Sequence, residues 1–219
     1  MVKKTKDKLV LTALAGSLLF NAGCATYKTM SPDLIQPVTP IARPIKQLKE
    51  PIDYGKLTWQ EAIKYVQTPE QAQDYLDRHF RPDFDEAFGP ERNKIGESFK
   101  YNHSRAKGLC LDYATIAAAL LSDDGYPPFL LVVRTSDDSS KHAVYLYRTK
   151  AGYGALGQFS LKPLPSLDKL IYSIRGKYWS KYDEYMIVNL DKNFPRQEWI
   201  SGEVNLQAVS FIDEWTKLK

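Results

Sequence analysis

Residues 108–121 read Gly108-Leu109-Cys110-Leu111-Asp112-Tyr113-Ala114-Thr115-Ile116-Ala117-Ala118-Ala119-Leu120-Leu121, and the fold is decided there. Alanine and leucine dominate the run, so it predicts a helix, closed by Asp124-Gly125. Cys110 falls in the first turn, where unpaired amides and the helix dipole favour a thiolate. A lone cysteine in an alanine-rich helix is more often a small core residue. Its meaning therefore depends on what the rest of the chain brings to it.

Downstream, Pro127-Pro128 separates the helix from Phe129-Leu130-Leu131-Val132-Val133, an apolar run typical of a buried strand. His142-Ala143-Val144-Tyr145-Leu146-Tyr147 predicts a second strand, and Lys150-Ala151-Gly152 turns it into Tyr153–Gly157 as an antiparallel hairpin. Ser166 is placed to cap a helix through Leu170, Ile171 and Ile174, and 185–190 predicts a further strand. From Glu198 onward one strand and a short terminal helix are expected. Upstream, Thr58-Trp59-Gln60-Glu61 and Thr68-Pro69-Glu70-Gln71 are capping-box patterns that open two short helices. Residues 81–107, rich in Pro, Gly, Asp, Asn and Lys, read as a long irregular loop. Helices followed by a mostly antiparallel sheet make an α+β domain.

A nucleophilic thiol needs a base within reach, and histidine is the side chain whose free pKa suits that task. Three are present. His79 ends an early helix and reads as a surface residue, and His103 lies in the long loop. His142 opens a strand, and a rigid sheet can aim its ring at a helix terminus. Asp112, two residues along the helix, points away from Cys110 and reads as a cap or a pairing group.

Lys107–Ala114, the helix ending at Leu120-Leu121 before Gly125-Tyr126, and Lys141-His142-Ala143-Val144 together resemble the transglutaminase-like superfamily. In that family a Gly-x-Cys-x-Asp-Tyr-Ala helix start supplies the nucleophile and a His-Ala-Val strand supplies the base. The order Cys then His fits, the two positions lying 32 residues apart. The resemblance covers about 98–158. It implies a papain/transglutaminase-like fold with the nucleophile at the tip of the central helix, Cys110 attacking an amide carbonyl and His142 moving the proton. The family's third member is an Asp or Asn on the strand after the histidine. The matching stretch 153–160 contains neither, so Gln158 is the residue expected behind the ring, with Ser160 or a backbone carbonyl as alternatives.

The first 24 residues are of another kind. Lys3, Lys4, Lys6 and Lys8 against Asp7 precede a Leu/Ala/Val-rich stretch too short to span a bilayer, then Asn21-Ala22-Gly23-Cys24. This resembles a bacterial lipobox, with Asn21 where an aliphatic residue is usual, and implies acylation of Cys24. Residues 1–23 are thus expected to be a lipoprotein signal peptide, 24–56 a proline-punctuated tether, and 57–219 the domain. Ala25 is not a retention aspartate, so the resemblance implies the periplasmic side of the outer membrane. The leader holds three of the chain's four net positive charges, and the single one left for the remainder gives no basis for nucleic-acid binding. No metal motif or phosphate loop occurs, so no cofactor or metal is expected. The expected function is a thiol-dependent acyl transfer on amides, with a protein or peptide substrate in the envelope, by a monomer held to the membrane through its lipid. The alternative is an inactive lipoprotein that keeps the fold as a peptide- or protein-binding module.

Overall fold

The computed structural model describes residues 31–32, 35–37, 52–82, 106–137, 140–178, 181–193 and 215–218. Two capped helices open the domain. Thr58 Oγ1 accepts the Glu61 amide at 3.3 Å while Glu61 Oε2 accepts the Thr58 amide at 2.9 Å, fixing α1 (Trp59–Tyr65). Thr68 and Gln71 repeat the exchange, with Pro69 in the first position of α2 (Pro69–His79). The central helix α3 runs Cys110–Leu121, and Gly125, at φ 83°, supplies the left-handed turn after it.

Among the described residues the other helices and strands are α4 (Leu167–Tyr178), a short α5 (Leu190–Asn193) and eight strands: β1 (Phe80–Pro82), β2 (Ala106–Gly108), β3 (Phe129–Arg134), β4 (Lys141–Thr149), β5 (Gly152–Leu156), β6 (Leu161–Leu164), β7 (Glu184–Asn189) and β8 (Thr216–Lys217). Six of them form one antiparallel sheet in the order β6-β5-β4-β3-β7-β8. β1 and β2 pair in parallel at the two ends of the stretch read as a long loop, bringing the end of α2 beside the start of α3. His103 lies outside the described residues, as do the leader with Cys24 and most of the tail.

The central strands are apolar on both faces because both are covered. Ala143, Tyr145 and Tyr147 of β4, with Leu130 and Val132 of β3, join α1, α2 and α3 in one core. Val144 and Leu146, with Leu131 and Val133, join α4 in a second core on the other face. Ala114, Ala117, Ala118 and Ala119 are all buried; their small side chains let α3 lie close against the sheet. The result is a mixed helix and antiparallel-sheet fold, the α+β class expected from the sequence. One feature departs from an unpacked tether over 24–56: Ile35 is buried in the second core, and 54–56 form a turn of 3-10 helix capped by Asp53.

Candidate active site

Cys110 stands at the first position of α3, following the extended residue Leu109. The helix start is secured by Asp112, whose Oδ2 accepts the Leu109 amide at 2.6 Å and whose side chain is buried. Asp112 therefore caps the helix, the plain role its position suggested. The same carboxylate explains Gly108: a Cβ there would sit 2.8 Å from Asp112 Cβ and 3.0 Å from Oδ2. The Gly-x-Cys-x-Asp spacing is thus one local device, a glycine making room for the carboxylate that fixes the turn carrying the thiol.

His142 is the second residue of β4, only 4% exposed, and paired with Val133 on the β3 side. On the other side β5 accompanies β4 only as far as the Tyr145–Leu156 pair. Beyond it the chain bends at Gly157, and that edge of β4 is left to the thiol. A Cβ built on Gly157 would lie 3.9 Å from Ala143 O, so the Ala143 carbonyl faces the vacated edge. The N–H and C=O of one strand residue point the same way. The Ala143 amide accordingly faces that edge too, where it donates a hydrogen bond to Cys110 Sγ. The helix-tip sulfur and the histidine's immediate neighbour are therefore in contact. The imidazole ring itself stacks on Phe159, at 5.9 Å between centroids and 12° between planes. Gln158, partly buried, sits in the bend between Gly157 and Phe159.

The electrostatics correct one expectation. Burial pushes the Cys110 thiol up, against the downward pull of the Ala143, Leu111 and Cys110 amides, and the charge on Asp112 adds to the rise. The residue keeps some exposure, but dense packing around the sulfur outweighs the helix terminus. Burial likewise pulls His142 down to about 3. At neutral pH Cys110 therefore rests as a thiol and His142 as a neutral imidazole, not as the preformed thiolate that the helix tip alone suggested.

His79 is also corrected. It is buried, with Nε2 2.8 Å from the Tyr54 carbonyl oxygen and its ring stacked on Tyr75 at 4.2 Å. It anchors the turn before α1 rather than facing solvent. Three contributors carried no sequence signal: the Ala143 amide, the Phe159 ring and Gln73, a buried residue of α2 that bonds Gly157.

The structure thus sets a free thiol at the tip of the central helix of an α+β domain against a histidine-bearing strand, the layout expected from the sequence. A family model described as transglutaminase-like domain matches residues 56–158, so that segment is similar to this family. It takes in both helical caps, the Cys110 helix, the His142 strand and Gln158. Comparison with curated proteins gives no match.

Proposed function

We propose that the protein is a thiol-dependent acyl-transfer enzyme acting on amide bonds, with Cys110 as nucleophile and His142 as base. The observation that carries it is the hydrogen bond between Cys110 Sγ and the amide next to His142, inside a segment that matches the transglutaminase-like family. Sγ attacks the carbonyl carbon as its proton passes to the imidazole. The imidazolium returns that proton to the leaving amine, and water or a second amine then resolves the thioester. Hydrolysis is the favoured outcome for this domain, making it a protease or amidase; resolution by a lysine amine would make it a crosslinking enzyme. Gln158 is proposed to orient the ring, standing where the family has an acid or asparagine.

Because burial disfavours both ions, thiolate and imidazolium form together or not at all. Each ion supplies the counter-charge that the other lacks, so the pair ionises as substrate arrives. The site also lies in the envelope on this reading. Cys24 carries the lipid, each buried methylene adding about 0.8 kcal/mol of membrane affinity, and the domain acts on protein or peptide at the periplasmic side of the outer membrane.

The test is covalent capture. Full-length chain treated with a peptide electrophile should gain one adduct on the Cys110 peptide by mass spectrometry, and His142→Ala should slow it at least tenfold. Iodoacetamide, which brings no binding energy, should label the resting thiol slowly at pH 7. An adduct formed equally fast without His142, or none at all, favours the inactive binding module instead.

A further inference from the structure

Gln73 is a polar side chain, only 6% exposed, in the apolar interface between α2 and the sheet. Its amide meets both backbone groups of one residue. Nε2 donates to Gly157 O at 3.0 Å, and Gly157 N donates to Oε1 at 3.3 Å. This is the double exchange that a neighbouring strand residue would make, supplied here by one side chain. A second Nε2 hydrogen goes to Asp77 Oδ1 at 2.8 Å, which fixes the amide's orientation.

The place of the clamp gives it consequences. Gly157 is where β5 leaves β4, one residue past the Tyr145–Leu156 pair. Two features of the site depend on that departure: the open edge at which Ala143 meets Cys110 Sγ, and the position of Phe159 against His142. Were β5 to continue along β4, its next residues would fill the edge that the sulfur occupies. Were the bend to drift outward, Phe159 would leave the ring and admit water.

We propose that Gln73 is a positioning residue for the Cys110–His142 site, holding Gly157 so that the Ala143 amide stays open to the thiol and Phe159 stays on the imidazole. The proposal rests on the acyl-transfer reading for its effect on rate, but not for its effect on the ring. A purely structural Gln73 would lower thermal stability when replaced and leave the ring's environment alone. A positioning Gln73 moves the ring as well.

The experiment follows the His142 imidazole by NMR titration in full-length chain, beside the rate of Cys110 acylation by the peptide electrophile. In wild type the ring should titrate below pH 4. In Gln73→Leu the midpoint should rise above 5 as water reaches the ring, and acylation should fall about tenfold. Should the leucine variant not fold, Gln73→Glu serves, since it keeps the shape and the acceptor for Gly157 N. Its ionised carboxylate cannot donate to Gly157 O, whereas its protonated form can. It should therefore resemble the wild type in acid and depart from it at neutral pH. A folded Gln73→Leu, or a Gln73→Glu, with wild-type titration and acylation at every pH overturns the proposal. A wild-type chain that takes no acyl group overturns the acyl-transfer reading instead, and the ring titration then decides on Gln73 alone.

Discussion

His142 occupies a site where carrying charge is costly, and that cost is visible in folding as well as in chemistry. Its imidazole is held near pKa 3 in the folded chain, against about 6.5 when exposed. Between those values the unfolded chain takes up a proton that the native one refuses. Stability must then rise with pH across this window and drain away as pH falls through it, by about 1.4 kcal/mol per unit where only the unfolded form titrates. Replacing His142 with Leu removes this contribution. The difference in urea-unfolding free energy between variant and wild type should therefore shift in the variant's favour from pH 6 to pH 4. His79, His103 and the carboxylates are common to both chains and cancel in that difference. Curves that stay parallel would mean the ring is solvated in the native state. None of this was legible from the sequence. Desolvation belongs to tertiary packing, and the same packing reversed the shift that the helix terminus alone predicts for Cys110.

At the scale of elements, local signals were readable and long-range ones were not. The caps at Thr58 and Thr68, the Gly125 stop and the hairpin turn at 150–152 are written within a few residues of where they act. So is the start of α3, where Gly108, Cys110 and Asp112 form one unit. The bond from Gln73 to Gly157 joins positions 84 residues apart, and no pattern in either segment announces it. Phe159 on His142 is hidden for the same reason. Asp112 offers a test of the α3 unit because it does two separable things: it accepts the Leu109 amide, and its charge holds the thiol up. Asp112→Asn keeps an oxygen for the amide and drops the charge. The midpoint of Cys110 alkylation against pH should move down, with little loss of stability. Asp112→Ala drops the charge and the acceptor together, so it should also lose about 1 kcal/mol in thermal or urea unfolding. An alkylation midpoint unmoved in the asparagine variant would remove Asp112 from the thiol's electrostatics.

For the whole molecule, the sheet separates two cores, one holding the thiol helix and the other capped by α4 and by Ile35. Ile35 comes from the stretch whose prolines suggested only a tether, and its docking is specific. Arg148 Nη1 donates to the Ile35 carbonyl oxygen, and Tyr153 OH donates to Pro32 O at 3.4 Å. The guanidinium also lies 4.9 Å over the Tyr153 ring. A single isoleucine between prolines has no periodicity to betray it, so composition pointed to a linker where packing makes part of the domain. Ile35→Ala should then cost about 2–5 kcal/mol, as other fully buried large-to-small changes do, and a thermal melt would read it. A free linker residue would cost nothing. The docking also bounds the anchor. With a lipid on Cys24, residues 25–31 alone join the membrane to the docked segment, and even fully extended they reach only about 25 Å. Ile35→Asp, which cannot be buried without a partner, should release the docked segment and let the domain stand farther off. Neutron reflectometry on a supported bilayer carrying the lipidated chain would measure that distance, and an unchanged standoff in the aspartate variant would show that Ile35 does not set it.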